Sequence, residues 1–215
     1  MGRPSPGRPH VVAHVAVSLD GATTGFEPDV GTYYRLAAAW HEDVTLTGAD
    51  TILAQEAALA SASLSGPDPD GPLLAVVDGR GRVREWAALR AAGHWSDVVA
   101  VSTERTPPRD PPVPEIVAGR ERVDLSALLT TLGRRPGVAV VRVDSGGALL
   151  GALLDDDLVD EIGLLVHPVI TGVAGSRRWY GGGSPPAVGL ALADCRQLSG
   201  GLVWLRYRVV HGSTA

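Results

Sequence analysis

Short apolar runs alternate along this chain with stretches whose apolar positions recur at helical spacing. Residues 10–17 (HVVAHVAV) predict a buried strand, closed by the turn Ser18-Leu19-Asp20-Gly21. Tyr33, Leu36, Ala37 and Trp40 then fall at i, i+3, i+4 and i+7, one face of a helix. Residues 44–47 (VTLT) predict a strand that feeds a short helix from about Asp50. Residues 73–77 (LLAVV) predict another, closed by Asp78-Gly79-Arg80-Gly81-Arg82. A helical stretch surrounds Trp86, Leu89 and Arg90, and residues 98–101 (VVAV) form the next strand.

Asp124 suits a helix N-cap, because its carboxylate can accept from the free amides of a first turn. Leu125, Leu128, Leu129 and Leu132 follow as one apolar face, and Gly133 ends it. Residues 138–143 (VAVVRV) predict a strand. The turn Asp144-Ser145-Gly146-Gly147 leads from it into a helix with Leu149, Leu150, Leu153 and Leu154 on its buried side. Residues 162–166 (IGLLV) are apolar on both faces, as in a central strand. Residues 202–210 alternate, with Val203, Leu205, Tyr207 and Val209 on one face and Trp204, Arg206 and Arg208 on the other. Strand–helix alternation predicts an α/β fold, a mostly parallel sheet with helices on both faces. The last two strands have no helix between them and predict an antiparallel edge. Three connections stand out at 61–72, 104–114 and 171–186. The third mixes glycines with two arginines and two aromatics, and reads either as a mobile loop or as a flap over a ligand.

Composition narrows the function. With 215 residues the chain has the length of one domain, predicted over 9–211 behind a disordered tail at 1–8. The net charge of −5, with acids and bases interspersed, argues against a nucleic-acid binder. No apolar run has the length of a membrane helix and no signal-peptide core is present, so a cytoplasmic protein is expected. The single cysteine, Cys195, permits no intrachain disulfide and reads as a buried or inert thiol. The six histidines include no pair at metal-ligand spacing on one helix, and His14 reads as a core residue inside its strand.

Three turns carry candidate chemistry. Asp144-Ser145-Gly146-Gly147 lets backbone approach a ligand closely, and the first amides of the following helix suit a phosphate. The same turn can be purely structural. In Gly48-Ala49-Asp50-Thr51, Asp50 can cap the helix, or Thr51 can bond a ligand phosphate or ribose. In Asp78-Gly79-Arg80-Gly81-Arg82, a guanidinium can pair bidentately with phosphate, or the turn can simply be solvated.

Taken in order, these segments resemble the reductase domain of riboflavin biosynthesis, a family with the dihydrofolate-reductase fold. The matching blocks are Ser18-Leu19-Asp20-Gly21, Gly48 to Ala54, Leu74 to Asp78 with Arg80 and Arg82, and Asp144 to Leu150 continuing to Leu158-Val159-Asp160-Glu161 and His167-Pro168. The resemblance implies NADPH as cofactor. Ala16 would lie near the nicotinamide, and Thr51 would contact the cofactor. Gly79, Arg80 and Arg82 would meet the adenosine 2′-phosphate. Ser145, Gly146, Gly147, Ala148 and Leu149 would cradle the pyrophosphate. It also implies hydride delivery to the open-chain sugar carbon of a ribosylaminopyrimidine phosphate, with Asp20 and Asp144 as candidate proton-handling residues. A homodimer is implied too, and Trp204 on the second face of the last strand supports one.

The substrate side departs from the family pattern. Ala22 stands where a lysine or arginine is common, Ala39 where an arginine is common, and Gln55 where an aspartate is common. Asp144 replaces the usual glutamate with a shorter acid. A reductase of another carbonyl or imine, or a nucleotide-binding module without catalysis, therefore stands beside the first reading.

Overall fold

A computed structural model describes residues 7–61, 65–181 and 187–211. In chain order its elements are β1 (His10–Ser18), α1 (Val30–Ala37) with a 3-10 turn (Ala38–Trp40), β2 (Val44–Gly48), α2 (Ala49–Leu53), α3 (Glu56–Ser61) and β3 (Leu73–Val77). There follow α4 (Trp86–Ala91), β4 (Asp97–Ser102), β5 (Glu115–Val117), α5 (Leu125–Gly133), β6 (Val140–Val143), α6 (Ala148–Asp155), β7 (Glu161–His167), β8 (Gly189–Gln197) and β9 (Val203–Val210). The fold is α/β as expected, with mostly parallel strands and an antiparallel C-terminal pair. The chain divides into two compact units.

One unit comprises residues 7–9 and 42–141. Its strands run in the order β5, β4, β3, β2, all parallel, with Leu73 opposite both Val44 and Asp97. Leu74 and Val76 of β3 and Val98 and Ala100 of β4 pack with Ile52, Trp86 and Leu89 into one apolar cluster. The Asp124 carboxylate accepts from the Ala127 amide at 2.9 Å, as its cap position predicts. Loss of such a cap costs about 1 kcal/mol. Leu128, Leu129 and Leu132 are fully buried. α5 ends at Gly133, as the sequence predicts, but Gly133 also serves a second purpose. It is the last helical residue and has no left-handed conformation. The chain at 7–9 passes so close that an added Cβ would lie 2.9 Å from the Gly7 carbonyl and from Pro9 Cδ. Residues 7 and 8 of the expected tail are thus packed against α5. Residues 1–6 lie outside the described residues.

The other unit comprises residues 10–41 and 142 onward. β1 and β7 are parallel, with Val12 opposite Glu161 and Ser18 opposite His167, so both strands end on the same side. The Arg142–Val143 end of β6 belongs to this unit, where β6 neighbours β1. β9 runs antiparallel to β7, and β8 antiparallel to β9. The sequence pattern did not predict β5 or β8. β8 is the edge strand, and its side chains are mostly exposed, so no apolar periodicity marks it.

Two expectations for the C-terminal strands need correction. Trp204 is not an exposed apolar group: it is 1% exposed and its ring meets the Trp40 ring edge-on at 5.8 Å. Cys195 is exposed on β8 rather than buried. Beneath the tryptophans, Glu161 accepts from Trp40 Nε1 at 2.8 Å and from Arg206 Nε at 2.7 Å. Burial alone would raise the Glu161 pKa. The hydrogen bonds from His10, Trp40 and Arg206 outweigh burial and hold it down at about 2. No helix among the described residues is long and apolar enough to cross a membrane.

Candidate functional site

In open α/β sheets ligands bind beyond the carboxyl ends of the strands. In the unit built on β1 and β7, that end carries the turns after β1 and β6. Ser18 donates to the Asp20 carboxylate at 2.7 Å, and the Ala22 amide donates back to the Ser18 hydroxyl at 2.9 Å. Asp20 also accepts from the Thr171 amide and the Gly172 amide, each at 3.1 Å. The Ser18 hydroxyl, with the Thr171 amide, holds the Asp20 carboxyl well below the usual carboxylate range. Asp20 is a charged anchor for the segment that follows β7.

That segment is tied down along its described length. Ala22 forms an antiparallel bridge with Arg178, the Thr23 amide donates to the Arg177 carbonyl at 2.8 Å, and the Arg178 guanidinium donates to the Asp20 carbonyl. The Trp179 carbonyl receives the Gly147 amide at 2.9 Å. At Gly151 an added Cβ would come within 2.5 Å of the Tyr180 carbonyl. Residues 171–181 therefore form a strap docked on the Ser18–Thr23 turn and on the start of α6. The expected 171–186 loop continues into 182–186, which lie outside the described residues.

Gly147 caps α6 with φ 68° and ψ −133°, a conformation open essentially to glycine alone. A Cβ built there meets nothing within 4 Å, so the space beside this turn is open. The structure alters one detail of the expected cradle. The Gly147 amide is already donated to Trp179, so the first-turn amides at Ala148 and Leu149, which have no intrahelical partner, remain for a ligand. Gly146 is enclosed by Thr23, Val15 and the Trp179 carbonyl, and Ser145 is buried.

Asp144 lies between α1 and the start of α6. Tyr33 Oη is 2.5 Å from its Oδ1, Tyr34 Oη is 3.3 Å from its Oδ2, and Arg142 Nη1 is 3.5 Å from Oδ2. Tyr33 Oη is also 2.7 Å from the His14 carbonyl. The Tyr33 ring stacks on the His14 imidazole with centroids 4.3 Å apart. Burial, with the Asp144 charge, raises the phenol of Tyr33 well above its ordinary value and that of Tyr34 to about 12. Burial lowers His14 to about 4, and its Nε2 donates to the Tyr33 carbonyl at 3.1 Å. His14 is thus the core histidine that its strand position predicts. Ala16, paired with Leu165, packs against the cluster of Tyr33, Leu165 and Leu202. This unit therefore brings Ala16, Asp144 and the start of α6 together around Tyr33. The tyrosine contact was missed from sequence, where Tyr33 reads only as part of an apolar helix face.

At the other end of the same turn, His167 Nε2 accepts from the Asp29 amide at 2.9 Å. The ring's proton must then sit on Nδ1, which lies 3.1 Å from the Leu165 carbonyl. Asp29 in turn caps α1, accepting from the Thr32 amide at 2.9 Å and so setting the angle at which Tyr33 and Tyr34 leave the helix.

In the unit built on β2 to β5, Asp78 organises the second group of candidates. Its buried carboxylate accepts from the Arg82 amide at 2.8 Å and the Val83 amide at 3.1 Å. Arg109, itself buried, reaches the same carboxylate at 3.3 Å and the Asp78 carbonyl at 3.0 Å. Thr106 donates to the Gly79 carbonyl at 2.8 Å. The Gly79–Arg82 turn is therefore held rigidly, with Arg80 exposed and without an ion-pair partner among the described residues. Arg82 is engaged: its guanidinium lies 2.7 Å from the Asp50 carboxylate. Asp50 does not cap α2. Gly48 takes the cap position, Asp50 stands in the first turn, and Thr51 follows it, half-buried.

Known proteins resemble this chain in sequence and in fold. The family model described as "RibD C-terminal domain" matches residues 9–204. A 2,5-diamino-6-ribosylamino-4(3H)-pyrimidinone 5′-phosphate reductase of Archaeoglobus fulgidus is 36% identical over 188 residues, 77% of this chain and 83% of that protein. One of the same name from Methanothermobacter thermautotrophicus is 29% identical over 180 residues, 77% of this chain and 80% of that protein. The solved riboflavin biosynthesis reductase Rib7 of Saccharomyces cerevisiae superposes with a TM-score of 0.70 at 20% identity, covering 97% of this chain and 93% of that one. A dihydrofolate reductase of Enterococcus faecalis superposes with a TM-score of 0.51 at 10% identity, covering 93% and 96%, which extends the likeness of fold. With a family match over nearly the whole described length and the family's turns standing at the strand ends, this chain belongs to the RibD C-terminal domain family.

Proposed function

We propose that this chain is an NADPH-dependent oxidoreductase of the riboflavin pathway, reducing a ribosylaminopyrimidine phosphate at its open-chain sugar carbon. The relatives named as pyrimidinone phosphate reductases support the reaction and substrate. The observation that carries the site is the start of α6, where a glycine-only cap stands beside open space and the first-turn amides. Those amides fit a pyrophosphate, which a helix N-terminus stabilises through its partial positive charge.

When bound, NADPH supplies the hydride. The chain's residues do the rest. Ser145 and Gly146 shape the turn, Gly147 leaves room beside it, and the amides of Ala148 and Leu149 would bind the pyrophosphate. The backbone at Ala16 would lie near the nicotinamide, and Thr51 would contact the cofactor. Gly79 positions Arg80 and Arg82 for the adenosine 2′-phosphate, with Arg80 supplying the larger part because Arg82 must first leave Asp50. Asp144 handles the proton at the substrate heteroatom. Asp20 keeps its charge and holds the strap, because so low a carboxyl is deprotonated at neutral pH. Arg178, bridged to Ala22, brings to this turn a guanidinium suited to the substrate phosphate.

The absence of the family's cation at Ala22 and Ala39, and of its aspartate at Gln55, favours one second reading, a reductase of another phosphorylated carbonyl or imine. A substrate panel decides between them: turnover of the ribosylaminopyrimidine phosphate supports the first, and turnover only of other carbonyls the second. The enzyme acts in the cytoplasm as a homodimer. Support for the dimer moves from Trp204 to the edge strand β8 and its neighbour, where Leu190, Leu192 and Val210 are exposed.

A further inference from the structure

Tyr33 stands between two acceptors with a single proton. Its Oη is 2.5 Å from Asp144 Oδ1 and 2.7 Å from the backbone carbonyl of His14. A phenol has one O–H and cannot satisfy both as donor. While Asp144 is ionised, the short contact takes the proton, as charge-assisted O–H···O⁻ bonds at this length do. Once Asp144 is protonated, the pattern reverses. The acid donates to Tyr33 Oη, and the phenol swings its own proton to the His14 carbonyl. Both contacts are then filled, each with its own donor.

We infer that Tyr33 is a positioning residue that gives Asp144 a hydrogen-bond partner both when it holds a proton and when it releases it. This rests on the proposed reductase reading and assigns the proton step within it. Asp144 Oδ–H gives its proton to the heteroatom left electron-rich by reduction, the O–H bond breaks, and a new O–H or N–H bond forms on the substrate. The resulting carboxylate accepts the Tyr33 proton, and solvent later restores the acid.

Groups from three elements face this carboxylate. Tyr33 and Tyr34 reach it from α1 and Arg142 from β6. From β1, buried His14 stacks on the Tyr33 ring and stays neutral near pH 7. Tyr34 is the outermost of them, with its residue 47% exposed. Tyr33 is buried, and its ring stacking survives removal of the hydroxyl, so Tyr33→Phe tests the hydroxyl without emptying the core.

The test is a cycle of Tyr33→Phe, Asp144→Asn and the double variant, read by kcat/KM and by carbon NMR titration of the Asp144 carboxyl in cofactor-free protein. A relay acting through Asp144 makes the double variant no slower than Asp144→Asn alone, although Tyr33→Phe by itself lowers kcat at least tenfold with KM little changed. The Asp144 titration midpoint shifts in Tyr33→Phe. Additive losses, or an unmoved Asp144 midpoint, overturn the inference. The NMR readout needs no turnover, so a failure of the reductase reading itself shows separately, as wild-type protein that titrates as expected yet reduces nothing.

Discussion

The Arg109 guanidinium lies 3.3 Å from the Asp78 carboxylate and 3.0 Å from the Asp78 carbonyl, with both side chains buried beneath the turn that carries Arg80 and Arg82. Removing one member of a buried ion pair leaves the other uncompensated, which typically costs about 3–5 kcal/mol. Arg109→Met is therefore expected to lower stability by roughly that amount in denaturant unfolding, and to loosen the turn. Affinity for NADPH falls in whatever remains folded. Unchanged stability would mean that Asp78 finds another partner.

Arg80 and Arg82 should differ in their contribution to cofactor choice. Arg82 must exchange Asp50 for the 2′-phosphate, whereas Arg80 has no ion pair among the described residues to give up. Arg80→Ala should cost NADPH binding about 1.5–3 kcal/mol, the range for hydrogen bonds to charged groups, and Arg82→Ala less. NADH affinity should barely move in either. Fluorescence titration with both cofactors gives the answer, and equal losses for NADPH and NADH would remove the 2′-phosphate from this turn.

Acid sensitivity follows from His14. Burial depresses its pKa from 6.5 to about 4. Between those values the unfolded chain takes up a proton that the folded protein refuses, so stability falls as the pH drops. The contribution is complete above about pH 6.5 and amounts to roughly 3 kcal/mol of destabilisation once the pH is below 4. Denaturant midpoints at pH 7 and pH 5, with an NMR titration of the His14 ring, check this. A ring titrating near its ordinary value would contradict it.

Asp20→Ala removes the acceptor for the Thr171 and Gly172 amides while leaving the Ala22–Arg178 bridge in place. Hydrogen exchange at those two amides should rise sharply with little change elsewhere in β1 or β7. Exchange that stays slow would show that the strap is held by its other contacts alone.

The sequence made legible those parts of the fold whose side chains face an apolar core. The Leu128, Leu129 and Leu132 face of α5, its Asp124 cap and the runs of β1 and β7 are written in local pattern. β8 was not, because Leu190 and Leu192 face outward and a strand with no buried face leaves no alternation to read. The backbone need for glycine at Gly147 could be read from the turn. Contacts made by long-range approach could not. Tyr33 and Asp144 are 111 residues apart, and Arg109 emerges from a proline-rich connection whose composition suggests only surface. Gly133 shows the same limit in reverse, since a chain passing nearby, not a helix stop, requires its small size.

Gly147 offers a further check on the start of α6. Its backbone conformation is strained for any L-residue, by about 1–3 kcal/mol, although a Cβ would meet no neighbour. Gly147→Ala should lose stability in that range and, because the methyl enters the open space beside the helix amides, should lose NADPH affinity as well. Lower stability with normal affinity in the folded fraction would leave Gly147 as a turn residue only.

The most direct measurement is the transfer of label from NADPH deuterated at the reactive nicotinamide carbon. The purified protein is incubated with this cofactor and the ribosylaminopyrimidine phosphate, and the product is examined by mass spectrometry. The account predicts a reduced, ring-opened sugar product carrying one deuterium on the former sugar carbonyl carbon, formed in step with cofactor oxidation and lost in Asp144→Asn. Recovery of unreduced substrate beside unoxidised cofactor, under conditions where the protein demonstrably binds NADPH, would contradict it.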